Sequence, residues 1–192
     1  MAELADALDS GSSGRKPVRV RLPPSALKTI KGAEPMGLQK LITTYIPQGV
    51  FIITSNAEGK INGMTAAWVS QVSFKPRLLG VAIAPQRYTF ELIQASKTFG
   101  INVLAEGQVD LAKHFGFKSG RRVNKFENIP YKLSKRGNPI LLDAIAYFDC
   151  EVVSSFETGD HYVVVGEVVD YEILKEGEKP LIFRWEDYFG GD

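Results

Sequence analysis

The segment GDHYVVVGEVVDYEIL spans residues 159–174 and is the part of the chain that decides the fold class. A Gly-Asp turn opens it, and the residues after His161 are apolar and β-branched, which is typical of a strand. Residues 162–165 are apolar on both faces of such a strand, so we expect its first half to be covered on both sides. His161 lies where the loop becomes this strand. It is either a structural residue or a hydrogen-bonding and proton-donating group of a site.

The rest of the chain repeats this β pattern. Apolar runs of strand length, separated by Gly, Pro and polar turns, predict further strands. They lie at 49–55, 63–74, 77–84, 99–105 and 140–156. Glu58 and Gly59 predict a hairpin turn, and short helices are predicted at 38–45, from an N-cap at Thr89 onward, and at 108–117. Six or so strands, several of them apolar on both faces, predict a closed or nearly closed barrel that packs against a partner subunit.

Composition and charge are those of an ordinary globular protein. The chain has 192 residues, 44% of them hydrophobic and 23% charged, and its net charge is +1. This balance gives no reason to expect nucleic acid or a membrane as a partner, and no apolar run approaches the ~20 residues that cross a bilayer. The single cysteine, Cys150, excludes an internal disulfide and a multi-cysteine metal site, so we expect a cytoplasmic protein without a metal.

Cys150 is also predicted to lie in the core. In the longest of the predicted strands, alternation places Phe148, Cys150, Val152 and Phe156 on one face and Asp149 on the other. A thiol among apolar side chains is most often a packing residue. We therefore assign Cys150 no chemistry.

The beginning of the chain differs from the rest. Residues 1–35 lack aromatic side chains, and the stretch DSGSSGRKP at 9–17 is typical of a linker. The stretch up to Ala26 also resembles the product of a transfer-RNA gene translated by mistake, which would make Met36 the true start. We expect residues 1–35 to be a disordered tail or a stretch in front of a wrongly assigned start, and residues 36–192 to form the functional domain.

Most signatures of known catalytic and cofactor sites are missing from the sequence. It has no GxGxxG after a strand, no P-loop, no HExxH, no CxxC and no GxSxG. Two histidines and one cysteine are too few for a usual zinc site. The remaining candidates are polar residues at the ends of predicted strands.

Three stretches supply candidates besides His161. In NGMTAAWVS (62–70), small residues let a ligand approach the main chain, although a tightly packed barrel strand has the same composition. Arg87 and Thr89, at the start of a predicted helix, form either a phosphate site or an ordinary cap beside a solvated arginine. The stretch SGRRVNKF (119–126) carries a basic cluster that includes Lys125. This cluster is either solvated or holds an anionic ligand.

Taken in order, five stretches resemble the flavin reductase-like family of FMN-binding split barrels. They are NGMTAAWVSQVSFKPRLLGVAIA (62–84), RYTFELI (87–93), FGINVL (99–104), GNPILLDAIAYFDCEV (137–152) and GDHYVVVGEV (159–168). The similarity runs over roughly 38–188 and is greatest to flavoredoxin and related members. Its most specific part is GDH followed by four residues and GEV.

The resemblance implies a six-stranded antiparallel split β-barrel, mainly β with a few helices, that forms a homodimer with the flavin near the subunit interface. It also implies which residues contact the flavin. They are Asn62, Met64, Thr65, Ala66, Ala67, Trp68, Ser73, Lys75, Arg87, Thr89, Lys125, His161 and Phe189. Arg87 and Thr89 would hold the ribityl-phosphate end, which favours FMN over FAD, and His161 would stand near the ring or the hydride donor. Trp185 is the alternative to Phe189 as an aromatic cover.

The activity that the resemblance implies is NAD(P)H-dependent reduction of the flavin, followed by electron transfer to a small-molecule or protein acceptor. The alternative is a flavoredoxin-like FMN electron carrier without a small-molecule substrate of its own. Hydride transfer to a flavin requires no protein nucleophile, which agrees with the missing catalytic signatures. A related barrel that oxidises pyridoxamine phosphate is disfavoured by the GDH and GEV pattern.

Overall fold

The computed structural model describes residues 35–190 of the chain. In this range the helices are α1 (Pro35–Tyr45), α2 (Tyr88–Ser96), α3 (Val109–Phe117) and α4 (Trp185–Phe189). The strands are β1 (Phe51–Ala57), β2 (Lys60–Ala66), β3 (Val69–Ser73), β4 (Leu78–Ile83), β5 (Thr98–Val103), β6 (Tyr131–Leu133), β7 (Pro139–Leu141), β8 (Ala146–Thr158) and β9 (His161–Ile173). No helix within these residues is long and apolar enough to span a bilayer.

The N-terminal expectation concerns residues that the structure does not describe. The compact unit begins at Pro35, and the proposed tail or wrongly assigned start at 1–35 lies almost entirely outside the described residues. The boundary at residue 36 stays a prediction.

Seven of the strands form one antiparallel sheet, in the order β2-β1-β5-β8-β9-β4-β3, and β6 pairs with β7 in a separate hairpin. The edge strands of the large sheet, β2 and β3, follow each other in the chain and are separated by Ala67 and Trp68 alone. The sheet therefore curls, so that the end of one edge strand, β2, is only two residues away from the start of the other edge strand, β3. This confirms the mainly β, antiparallel class that the sequence predicts.

The sequence predicts one long strand at 63–74, where the structure has two. At Ala67 and Trp68 the chain stops pairing with β1 and begins to pair with β4. The N–H of Val69 donates to the carbonyl of Ala67 (3.1 Å), and the N–H of Ala82 donates to that of Trp68 (3.0 Å). If β2 and β3 are counted as one bent strand the sheet has the predicted six strands, and if they are counted separately it has seven.

The predicted hairpin turn at Glu58 and Gly59 is confirmed. It connects β1 to β2, and the φ angles of the two residues are 53° and 81°. Two successive residues with positive φ are the mark of a type I′ turn, whose twist suits a two-residue hairpin. This turn places β2 antiparallel to β1 and so fixes the strand that borders the candidate site.

The buried side chains form two clusters on opposite faces of β1. Ile52 belongs to a cluster with Phe115 of α3, and Ile53 belongs to a cluster with Phe99 and Cys150. Adjacent residues of a strand point to opposite faces, so β1 is covered on both sides, as its unbroken apolar sequence predicts. Cys150 is a core residue, in agreement with the sequence.

The prediction that Phe156 shares a face of its strand with Phe148 and Cys150 is wrong. The pairing of β8 with β9 shifts at Val153, which is an extra residue on β8. A bulge of this kind inverts the alternation of faces along the strand. Phe148 and Cys150, before the bulge, pack in the core, whereas Phe156, after it, is 51% exposed.

Candidate functional site

The free edge of β2 is the first part of the candidate site. In the sheet β2 pairs with β1 on one side only, and on the other side Lys125 Nζ donates to the carbonyl oxygen of Gly63 at 2.9 Å. In an antiparallel strand the N–H and C=O of one residue point the same way, and so do those of the residue two positions on. The N–H of Thr65 therefore faces the same side, and the edge offers main-chain donors to a ligand.

Two cavities adjoin this edge and share Met64, Thr65 and Arg87. Cavity A, of about 210 Å³, lies between β2, the start of α2 and the loop that follows α3. Cavity B, of about 390 Å³, is bordered by the end of β2, His161 and aromatic residues near the C-terminal helix α4. Because they share lining residues, the two cavities form one groove with a polar end and an aromatic end.

A buried polar pair lies at the base of cavity A. Asn62 Nδ2 donates to Thr89 Oγ1 at 2.9 Å, and both residues are buried. Gly120 passes directly over this pair, and a Cβ at that position would clash with the side-chain amide of Asn62. The absence of a side chain at Gly120 is therefore what lets the loop close over the cavity.

The start of α2 also borders cavity A. Arg87 is the N-cap, with extended backbone (φ −73°, ψ 131°), and no side chain among residues 35–190 forms a capping hydrogen bond at this end of the helix. The prediction of Thr89 as the cap is wrong, because Thr89 lies inside the helix and its hydroxyl is engaged by Asn62. The first N–H groups of α2 are thus left without a capping side chain, beside the exposed guanidinium of Arg87.

Arg121 ties the loop over cavity A to α2. Its Nη2 lies 2.6 Å from Glu91 Oε2, and its Nη1 donates to the carbonyl of Gln86 at 3.1 Å. The guanidinium also lies 5.0 Å from the ring centre of Tyr88, within cation–π range. All three partners are in or next to the first turn of α2, so the loop and the helix form one wall.

Lys125 brings a buried amine to the same place. It is 4% exposed, and its Nζ donates to the carbonyls of Gly63 (2.9 Å) and Phe115 (2.7 Å). Burial and, secondarily, the nearby charge of Arg87 lower the pKa of Lys125 to about 8. His114 Nε2 donates to the Lys125 carbonyl at 2.7 Å, which fixes the backbone that carries the amine.

Cavity B contains His161 beside an aromatic wall. The ring centres of His161 and Trp68 are 4.7 Å apart. His161 Nδ1 donates to Asp160 Oδ1 at 2.7 Å, which lowers the pKa of Asp160. Within the described part of the chain, the Nε2 atom of His161 forms no hydrogen bond. Trp185 and Phe189 of α4, whose ring centres are 4.5 Å apart, line the same cavity. A flat ligand entering here meets aromatic faces and one imidazole.

Comparison with known proteins decides the family. The family model of the flavin reductase like domain matches residues 43–192. The chain belongs to the flavin reductase-like family. The high molecular weight rubredoxin of Moorella thermoacetica is 40% identical over 139 residues, which are 71% of this chain and 60% of that protein. The ferric-chelate reductase (NAD(P)H) of Archaeoglobus fulgidus is 32% identical over 145 residues, which are 74% of this chain and 84% of that protein.

The chain is shorter than several of these relatives. It spans less than two thirds of the Moorella protein and 22–28% of the diflavin flavoproteins of Synechocystis and Nostoc that it also matches. Those relatives therefore contain large regions that have no counterpart in this chain.

Solved structures of flavin reductases share the fold. Flavin reductase HpaC complexed with NADP+ aligns with a TM-score of 0.68 at 29% identity, covering 77% of this chain and 92% of that one. The flavoredoxin from Methanosarcina acetivorans aligns with a TM-score of 0.68 at 27% identity, covering 74% and 83% of the two chains. These alignments confirm the split-barrel class that the sequence predicts.

The groove of this flavin reductase-like protein suits a flavin. The ring of a flavin is flat, and cavity B offers aromatic faces together with the main-chain donors of the β2 edge. The phosphate of a flavin requires cations and free N–H groups, and cavity A offers Arg87, Lys125 and the uncapped start of α2. The donor set and the shape of the groove therefore fit the two ends of one flavin nucleotide.

Most of the residues predicted to contact the flavin line the groove. These are Asn62, Met64, Thr65, Ala66, Ala67, Trp68, Arg87, Thr89, Lys125, His161 and Phe189. Ser73 and Lys75 line neither cavity and lie at the other end of β3. Contact with a flavin stays a prediction for all thirteen residues.

The structure adds lining residues that were not among the predicted flavin contacts, although Gly120 and Arg121 lie in the basic stretch 119–126 that the sequence marked as a candidate. Gln48 lines cavity B, and its Oε1 is buried without a hydrogen-bond partner among residues 35–190. Gly120 and Arg121 close cavity A, and Phe183 joins the aromatic wall of cavity B. A glycine within a basic loop could have indicated the close approach at Gly120, but Gln48 carries no local signal.

Proposed function

We propose that this chain binds FMN, reduces it with NAD(P)H and passes the electrons to a further acceptor. The observation that carries the proposal is the single groove that joins a cationic end, cavity A, to an aromatic end, cavity B, along the donor edge of β2. The names of two similar proteins support it, a ferric-chelate reductase (NAD(P)H) and a flavin reductase complexed with NADP+.

Cavity A is proposed to hold the ribityl-phosphate end. Arg87 and the uncapped N–H groups of α2 supply positive charge at its mouth, and Lys125 supplies a buried amine at its base. The bond between Asn62 and Thr89 keeps both polar side chains in fixed positions. One N-terminal helix end with two cations suits a single phosphate group, which favours FMN over FAD.

Cavity B is proposed to hold the ring. A bound flavin supplies a planar ring that accepts a hydride and passes on electrons. Residues 64–68 lie along this cavity, with the N–H of Thr65 on the ligand side, and Trp68 and Phe189 provide aromatic faces. Donors and cations that are fixed beside the ring favour its reduced, negatively charged state, because they need no rearrangement when the charge develops.

His161 is proposed to position the hydride donor. Its Nδ1 is engaged by Asp160, so the ring is held in one orientation and Nε2 remains available for a hydrogen bond. A side chain that orients the nicotinamide against the flavin accelerates the reaction by alignment and need not exchange a proton.

A homodimer is part of the proposal. Val72 of β3 is 54% exposed and Phe156 of β8 is 51% exposed. A Cβ at Gly80 would contact both Val72 and Val163, so these two valines share a face, and Val163 is paired with Phe156. The result is an apolar stripe across β3, β4, β9 and β8 on the outside of the sheet. Exposed apolar patches of this kind mark interfaces.

Ser73 and Lys75 gain a role in such a dimer. They follow the apolar stripe in the chain, directly after Val72. If the stripe is the dimer interface, these two residues lie beside the partner subunit and reach its flavin rather than their own. A cytoplasmic setting also remains part of the proposal, supported by the single, buried cysteine of the chain.

A second candidate function is an electron carrier without its own small-molecule substrate. It is favoured by the similarity to a rubredoxin and to a flavoredoxin. The two functions are separated by adding NADH or NADPH to the FMN-loaded chain without oxygen. Rapid loss of the visible absorbance of oxidised flavin supports the reductase. Reduction by a protein donor or dithionite, but by neither nicotinamide, supports the carrier, and mass identification of the released cofactor decides between FMN and FAD.

A further inference from the structure

A third cavity lies outside the proposed flavin groove. Cavity C, of about 310 Å³, is bordered by the β6–β7 hairpin and by strands β8 and β9. It shares no lining residue with cavities A and B. Its volume is at the lower end of the range that holds small molecules.

The charged side chains around cavity C leave one carboxylate without a cation. Two lysines and three acidic residues line it. Lys132 Nζ lies 2.6 Å from Glu172 Oε1, and Lys135 Nζ lies 3.0 Å from Asp170 Oδ2. Asp149 is the third acid, and no ion pair to it is formed within residues 35–190.

Asp149 is fully buried and only half of its carboxylate is engaged. It is 0% exposed, and its Oδ1 accepts hydrogen bonds from Asn138 Nδ2 (2.9 Å) and Tyr147 Oη (3.0 Å). Burial and the charge of Asp149 raise the pKa of Tyr147, so that hydroxyl keeps its proton and donates. The other oxygen, Oδ2, is buried and has no partner among the described residues. A buried carboxylate oxygen without a partner is costly.

Arg136, a further cation near Asp149, is already paired with another carboxylate. Arg136 is close enough for the charge of Asp149 to contribute to its raised pKa. However, its Nε and Nη2 donate to Glu151 Oε1 at 2.8 and 2.6 Å. The described residues therefore supply no cation to the Oδ2 of Asp149.

The chemistry of the cavity selects the kind of donor. The described residues contain no group of three or more His, Cys, Asp or Glu that could hold a metal ion, and a divalent cation prefers several oxygen ligands. A guanidinium binds best to both oxygens of a carboxylate, and Asp149 has one to offer. A primary ammonium is a compact donor that suits a single oxygen. Leu133 and Ile140 supply an apolar wall for an attached alkyl chain.

We propose that cavity C is a binding site for a small aliphatic amine, whose ammonium group pairs with Oδ2 of Asp149. The alkyl part would lie against Leu133 and Ile140, and Tyr147 and Tyr171 also line the cavity. The site is separate from the groove and does not depend on the proposed flavin reaction.

The test uses the full-length chain and n-pentylamine as the probe, followed by backbone amide NMR. The amine is expected to shift amide signals around Asp149 and residues 132–135 with a dissociation constant of about 1 mM or tighter, as ligand efficiency predicts for a probe of about six heavy atoms. Asp149→Asn keeps the shape and is expected to weaken binding at least about tenfold. Asp143→Asn, an exposed carboxylate outside cavity C, is the matched control and should bind as the wild type does.

The neutral isostere n-pentanol separates charge recognition from simple filling of the cavity. It is expected to bind at least about tenfold more weakly than the amine. Equal binding of the two probes, or equal binding of the amine to wild type and Asp149→Asn, would overturn the proposal. If Asp149→Asn does not give a folded spectrum, intermolecular NOEs between n-pentylamine and the methyl groups of Leu133 and Ile140 decide the matter. Their presence supports the site, and their absence at saturating amine rejects it.

Discussion

Lys125 and Gly63 are 62 positions apart in the chain, and the amine of Lys125 donates to the carbonyl of Gly63 at 2.9 Å. This bond joins the loop over cavity A to the free edge of β2. The same amine also holds the end of α3 through the carbonyl of Phe115. One buried cation thus connects three elements that border the groove.

Replacing Lys125 by Met tests the charge of this amine. The pKa of Lys125 is about 8 in the folded protein and 10.5 in the unfolded chain, so between these values only the unfolded chain holds the proton. Wild-type stability therefore rises as the pH increases from about 8 to about 10.5, by at most about 3 kcal/mol. The stability of Lys125→Met should not rise with pH in this way, because methionine does not titrate. Urea unfolding of the flavin-free protein at several pH values measures the difference.

The control for this prediction is Lys60→Met, which removes an exposed lysine at the start of β2. It should unfold with the pH dependence of the wild type. Parallel pH profiles for the wild type and Lys125→Met would show that the amine is solvated, contrary to its burial.

Replacing Gly120 by Ala tests the closure of cavity A. The added Cβ clashes with the side-chain amide of Asn62, so the loop moves away or Asn62 loses its bond to Thr89. We expect FMN affinity to fall about tenfold, equivalent to about 1.4 kcal/mol. Fluorescence titration measures it. Gly37→Ala, where a Cβ meets no atom within 4 Å, is the control, and an equal effect of both substitutions would contradict the prediction.

Replacing His161 by Ala separates flavin binding from hydride transfer. We expect bleaching of the flavin by NAD(P)H to slow at least about tenfold, because the hydride donor loses its orienting contact. The dissociation constant of FMN should change by less than about threefold. Stopped-flow absorbance measures the rate, and equilibrium titration measures the dissociation constant. The control is Glu157→Ala, which alters an exposed residue of the same β8–β9 hairpin and should change neither quantity. If FMN affinity and the rate of bleaching fall by the same factor, His161 contacts the flavin and does not orient the hydride donor.

Replacing Phe156 by Asp tests the proposed dimer. The substitution places a charge in the apolar stripe, and burial of an unpaired charge disfavours association. Light scattering is expected to show a dimer for the wild type and a monomer for Phe156→Asp. Leu142→Asp alters a residue that is 44% exposed outside the stripe and should stay dimeric. A monomeric wild type would reject the interface.

The fold was predictable from local patterns wherever one pattern decided one element. The Glu58-Gly59 turn and the two-sided apolar runs of β1 and β9 are such cases. The break at Ala67 and Trp68 was not predictable in this way, because the chain changes partner strands there without a Gly or Pro to mark it. Nothing in the sequence indicates the bulge at Val153 either. This bulge places Phe156 on the opposite face of β8 from Cys150.

Residues of the candidate site could be predicted where they lie in the sequence stretches that resemble the flavin reductase-like family. Asn62, Arg87 and His161 are of this kind. The residues that close the groove depend on tertiary approach instead. Gly120 matters only because Asn62 lies beneath it, and Gln48 matters only because its loop reaches cavity B. A glycine in a basic loop could have indicated the close approach at Gly120, whereas nothing in the sequence indicates that Gln48 lines the site.

The most direct test of the central claim is a titration of the purified chain with FMN, followed by the quenching of flavin fluorescence. The claim is that the groove along the β2 edge holds the cofactor. It predicts one FMN for each chain with a dissociation constant of about 1 µM or tighter, weakened at least about tenfold in Arg87→Ala and unchanged in Lys60→Ala. No binding up to about 100 µM FMN, or binding that is insensitive to Arg87→Ala, would contradict it.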